Sequence, residues 1–110
     1  MFRTVLTRVQ DLDAAKATWT ALLGAPTNDS PYYVGWTLGD HEIGLTPAGD
    51  QPATGPTPYW HTDDIAAAVA AVTGAGGRQE QAPQDVGGGR LVAVVSDAEG
   101  HAIGLIEDPS

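Results

Sequence analysis

Cysteine is absent from the 110 residues. That excludes disulfide staples, thiolate nucleophiles and cysteine-ligated metal, and it makes a cytoplasmic location the expectation. Basic residues are scarce: five Lys and Arg stand against 14 Asp and Glu, a formal net charge of −9. Such a surface repels nucleic acid and anionic membrane, so neither is expected as a partner. The acidity reads first as solubility. No apolar run is long enough to span a bilayer, and no charged-then-apolar start marks a secretion signal. Hydrophobic residues nevertheless make up 42 % of the chain, an ordinary globular share. One domain with one modest core is the expectation.

What the chain does have is a phrase used twice. His41-Glu42-Ile43-Gly44-Leu45 returns as His101-Ala102-Ile103-Gly104-Leu105, sixty positions on. Each copy follows a turn, Gly39-Asp40 in the first case and Asp97-Ala98-Glu99-Gly100 in the second. Each is also preceded by a strand-like run, residues 32–38 and 91–96. Two copies are too few for a solenoid, which needs about three. They point to a duplicated half-domain.

The rest of the chain follows the same plan. Residues 2–9 have the β-branched content of a strand. Asp11 then reads as a helix N-cap, followed by Leu12, Ala15, Trp19, Leu22 and Leu23 at helical spacing. Gly24 and Pro26 stop that helix. Residues 25–31 read as a loop or a short, poor strand, and 32–46 as a hairpin. A stiff, proline-rich linker over 48–56 follows. The plan restarts with a strand over 57–62. Asp63 or Asp64 caps a second helix with Ile65, Ala68, Val69, Val72 and Ala75 on one face. Strands are expected over 78–86, 90–96 and 101–107. Asp11 against Asp64 and Gly24 against Gly77 share a spacing of 53, a second support for duplication. The fold class is therefore α+β: one module over 1–47, and a second over 57–110. Gly74-Ala75-Gly76-Gly77 follows a helix rather than a strand, so it is no dinucleotide fingerprint.

Taken in order, several stretches resemble the vicinal oxygen chelate superfamily of glyoxalases, bleomycin-resistance proteins and dioxygenases. They are the strand-to-helix junction from Val9 to Ala17, the run from Tyr59 to Ile65, and the closing hairpin from Asp97 to Leu105. The resemblance implies paired βαβββ modules whose curved mixed sheets enclose a ligand cavity, commonly completed across a homodimer. Metal-binding members carry His, Glu or Gln at four equivalent positions, which here are Thr4, Gly44, Thr57 and Gly104. None is a competent ligand for the usual divalent metals. No metal and no other cofactor is expected.

If those four positions face the cavity, strand alternation assigns the rest. Leu6, Arg8, Tyr33, Glu42, Tyr59, His61 and Ile106 are the predicted ligand-binding residues. Val5, Val9, Ile43, Leu45, Trp60, Ile103 and Leu105 are expected against the helices. His61 with Glu42 is a candidate acid–base pair, or His61 is a hydrogen-bonded wall residue. Arg8 either grips a ligand carboxylate or pairs with an acid such as Glu42. His41 and His101 read as solvated strand starts rather than a shared metal site. Trp19 reads as core, and Trp36 as core or interface. The expected function is metal-independent binding of an aromatic or amphipathic small molecule, as in sequestration or resistance proteins. The alternatives are a metal-free lyase or isomerase using His61 and Glu42, and a regulatory domain whose cavity its own side chains fill.

Overall fold

The computed structural model describes residues 1–49 and 54–109. Eight strands and two helices run in the order β1 (Phe2–Val9), α1 (Leu12–Leu23), β2 (Asn28–Asp29), β3 (Val34–Leu38), β4 (His41–Pro47), β5 (Thr54–His61), α2 (Ile65–Gly74), β6 (Arg78–Asp85), β7 (Leu91–Ser96), β8 (Ala102–Glu107). This is βαβββ twice. Two compact units result: residues 3–57, and residues 58–110 together with Met1 and Phe2.

In the first unit the strands lie in the order β2-β3-β4-β1. β1 runs parallel to β4, with Leu6 opposite Gly44, while β3 and β4 form an antiparallel hairpin. Leu38 pairs with His41 across the two-residue turn Gly39-Asp40, and Gly39 supplies the positive φ of 64° that such a turn requires. Helix α1 starts at Asp11, whose carboxylate accepts from the Ala14 N–H at 3.0 Å. It packs Leu12, Ala15, Trp19 and Leu23 on Val34, Trp36 and Leu45. Trp36 is the anchor: its ring is 1 % exposed, and its Nε1–H donates to the Gly24 carbonyl at the helix end, 2.9 Å away. Leu22 was expected in the stripe but is 78 % exposed. A twelve-residue helix lying on one sheet face buries a narrow arc, and Leu22 falls just outside it.

The second unit repeats the scheme as β5-β8-β7-β6. β5 runs parallel to β8, and β8, β7 and β6 are antiparallel neighbours. Of the two candidate caps, Asp64 is the one used, its carboxylate accepting from Ala67 N–H at 3.0 Å. Glu107 Oε1 adds a second tie, accepting from Ile65 N–H at 2.8 Å and fastening α2 to β8. Ile65, Ala68, Val69 and Val72 pack on Ala93, Val95, Ile103 and Leu105. Ala75 lies past the helix as its C-cap. β6 is exposed along its whole length, and its pairing with β7 slips twice, between Gln79 and Gln81 and between Gln81 and Gln84.

Two strand starts and the burial of one residue differ from the sequence expectation. β3 begins at Val34 because residues 30–33 form a turn, in which Ser30 Oγ accepts from the N–H groups of Tyr32 and Tyr33. β5 begins at Thr54 rather than Thr57, so Pro56 and Pro58 lie within the strand. Trp60 is the larger correction. Its neighbour in register is Leu105, a core residue, yet Trp60 is 43 % exposed. Its ring meets Phe2 edge-on, with centroids 5.0 Å apart, instead of the α2 packing. Alternation gave the correct face but not the depth, because α2 covers only part of that face. The linker residues 50–53 lie outside the described residues. Among those described, no helix is long and apolar enough to cross a membrane.

Candidate functional site

In each unit the strands have one face under the helix and one face without. The helix-free face of the first unit carries Leu6, Tyr33, Gly35, Glu42 and Gly44. Here Tyr33 dominates. Its ring lies flat over Gly35 and Gly44, which are direct register partners. A methyl group built on Gly44 would sit 2.7 Å from Tyr33 Cε2 and 2.5 Å from Leu6 Cδ2; one built on Gly35 would sit 2.6 Å from Tyr33 Cε1. Carbon atoms do not approach that closely, so the ring needs glycine at both positions. The Tyr33 hydroxyl donates to Glu42. Arg8 is partly buried and, among the described residues, makes no ion pair with Glu42.

The helix-free face of the second unit repeats the motif. Tyr59 is the register partner of Gly104, and its ring covers that glycine so closely that no Cβ could stand there. His61 comes two residues later on the same face, beside Ile106, which is buried. The His61 side chain is only 11 % exposed. Its Nδ1 faces Asp108 Oδ2 at 3.4 Å, and the other Asp108 oxygen lies 2.9 Å from Arg90 Nε. Sequence reasoning missed both Asp108 and Arg90. They stand just beyond the Leu91–Glu107 pair, so alternation carried one step past the strand ends would have found them.

The two candidate acid–base groups thus have separate local partners, Glu42 the Tyr33 hydroxyl and His61 the Asp108 carboxylate. His101 pairs with Asp97 across its own turn, Nδ1 to Oδ2 at 2.9 Å. Asp97 also accepts from the N–H groups of His101 and Glu99. The His101 backbone N–H, then its ring, holds the Asp97 carboxyl below the ordinary carboxylate range. His41 is exposed.

A cleft of about 760 Å³ opens in the first unit at the start of α1, walled by Asp11, Leu12, Lys16, Asp29, Ser30 and Pro47. It contains none of the predicted ligand-binding residues, and the Lys16–Asp29 ion pair lies in its wall.

Two βαβββ modules, each offering a helix-free sheet face, are the class of fold that the resemblance implies. The chain belongs to the glyoxalase/bleomycin resistance protein/dioxygenase superfamily, whose sequence pattern it matches over residues 2–105. No curated protein matches it by sequence. Among solved structures it is similar to a member of that superfamily from Vibrio splendidus 12B01, at 15% identity and a TM-score of 0.70, covering 98% of this chain and 100% of the other. It is similar to methylmalonyl-CoA epimerase from Mycobacterium tuberculosis at 17% identity and a TM-score of 0.68, covering 99% and 88%. It is also similar to the NAD-dependent benzaldehyde dehydrogenase from Legionella pneumophila, at 15% identity and a TM-score of 0.73, covering 96% and 98%. At these identities the likeness concerns the fold.

At two of the four positions where the resemblance implies metal ligands, the residues present do not fit a divalent metal. Gly44 and Gly104 have no donor, and a tyrosine ring takes the space in which a carboxylate or imidazole would have to stand. Among the described residues no three His, Asp or Glu side chains converge as a metal cluster.

Proposed function

We propose that this chain is a metal-independent small-molecule binding protein of the sequestration or resistance type, taking an aromatic or amphipathic ligand on its helix-free sheet faces. One observation carries the reading. In each module one of the two positions at which the resemblance implies a metal ligand is glycine, and a tyrosine ring lies on it. A face built of ring, aliphatic side chain and a few polar groups suits stacking and burial rather than Lewis-acid chemistry. The unit is proposed to work as a homodimer, as the superfamily resemblance implies. Calorimetric titration with a panel of aromatic compounds, run with and without a chelator, tests it. The expected result is stoichiometric binding that the chelator does not change. Binding or turnover that appears only with added divalent metal defeats the proposal.

A second reading, proton transfer without a metal, is favoured by the contact between Asp108 and His61. A carboxylate facing Nδ1 can orient the imidazole for proton transfer. In that case a metal-free turnover is lost in His61→Ala, and its pH profile shifts in Asp108→Asn.

A further inference from the structure

The floor beneath Tyr33 has a property that the sequestration reading does not require. Gly35 and Gly44 face each other across β3 and β4, and their missing side chains leave a flat patch of backbone. Leu6 forms a wall on one side of it. Glu42, on the same face of β4, is a hydrogen-bond acceptor at its end, where the Tyr33 hydroxyl is received. A flat floor, an apolar wall and a terminal carboxylate are what recognise a planar ring bearing a donor group. The group found there is such a ring, but it is tethered.

The tether leaves the ring independent of the backbone that carries it. Tyr33 N–H donates to Ser30 Oγ at 3.1 Å, and its carbonyl accepts from Ser30 N–H at 3.0 Å. Neither bond involves the ring. A movement of the ring off the glycines therefore need not break either of these turn bonds. Tyr33 is only partly buried, so the way out is toward solvent.

We propose that the Gly35–Gly44 floor is a subsite for a planar aromatic ring carrying a hydrogen-bond donor, such as a phenol, and that Tyr33 is its built-in occupant, displaced when such a ligand binds. This rests on the small-molecule binding reading and narrows it to a ligand class. An internal occupant lowers the apparent affinity by the fraction of time the floor is open. Removing the ring therefore strengthens binding.

The probe is p-cresol, the tyrosine side chain in free form, with toluene as the analogue lacking the donor. Binding is followed on the full chain by NMR, through the amides of Gly35 and Gly44 and the Tyr33 ring signals. In the wild type, p-cresol is expected to move all three and to shift the Tyr33 ring toward its solvated position. Tyr33→Ala is expected to bind p-cresol at least about tenfold more tightly, as follows if the ring covers the floor nine-tenths of the time. Toluene should bind more weakly than p-cresol, and Glu42→Gln should narrow that difference. Gly44→Ala puts a methyl on the floor and should abolish binding; Gly35→Ala serves if that variant does not fold. The proposal is overturned if saturating p-cresol leaves the Gly35, Gly44 and Tyr33 signals of the wild type unmoved, whatever Tyr33→Ala does. It is also overturned, with sequestration left standing, if aromatic compounds bind but Tyr33→Ala and Gly44→Ala leave their affinity unchanged. If no compound of the aromatic panel binds the wild type at all, both readings fail.

Discussion

At the scale of single residues, Gly104 is the position with least freedom. Its φ is ordinary, so conformation does not require glycine there; the Tyr59 ring does. Gly104→Ala should destabilise the fold by about 1–3 kcal/mol, the usual cost of overpacking. Truncating the ring removes the cause, so Gly104→Ala and Tyr59→Ala together should cost less than their sum. Urea unfolding of the four proteins in a double-mutant cycle should give a coupling of about 0.5–3 kcal/mol; strictly additive losses would mean the ring does not lie on the glycine. Asp97 offers a second test. Its carboxyl is held low by the His101 N–H and ring, so ionised Asp97 favours the folded state. That contribution is fully present above the unfolded value, near about pH 4, and is lost as pH falls through the lower folded value. Asp97→Asn should thus melt below the wild type at neutral pH, and the gap should close below about pH 4. A gap constant with pH counts against the carboxylate's role.

At the scale of elements, the two hairpins, the Asp11 cap and an order of strand, helix and two or three strands in each half were legible in the sequence; the second cap stayed open between Asp63 and Asp64, and Asn28–Asp29 between a loop and a poor strand. Each rests on local chemistry: a turn glycine, a capping aspartate, apolar residues at a fixed period. The helix-free face followed once the resemblance had set which positions face the cavity: alternation then gives Leu6, Glu42, Tyr59 and His61, and the two-residue turn adds Tyr33. Depth was not legible. Alternation tells which side of a sheet a residue is on, and only packing tells whether anything covers it. Trp36 and Trp60 measure that difference. Both look like core in the sequence, but one is 1 % and the other 43 % exposed. Trp36→Ala should cost about 3–5 kcal/mol, since it empties a packed site and frees the Gly24 carbonyl. Trp60→Ala should cost about 1 kcal/mol or less, as befits a residue outside the core. Thermal or chemical unfolding ranks the two, and a larger loss at Trp60 would mean that α2 covers more of β5 than described. The partners of His61 were hidden for another reason: Arg90 and Asp108 sit beyond the strand ends, where periodicity stops.

At the scale of the whole molecule, the charge of −9 and the exposed apolar side chains of Phe2 and Trp60 pull in opposite directions. Like charge keeps copies apart, while apolar surface favours covering it. A homodimer is the expected outcome, weakening at low ionic strength, where repulsion is least screened. Light scattering at micromolar concentration should give about twice the formula mass of 11.3 kDa; a monomer across a range of salt counts against it. The manner of association is narrowed by β6. A bare outer strand can enrol another chain into a growing filament, since its unpaired N–H and C=O groups repeat at even intervals. In β6 that rhythm is broken twice, and Pro83, inside the second break, has no N–H to offer. Held concentrated for long periods, the protein should stay free of fibrils that bind thioflavin. Replacing Pro83 with a residue that restores the missing donor should shorten the wait before they form, so this irregular strand acts as a guard on shelf life.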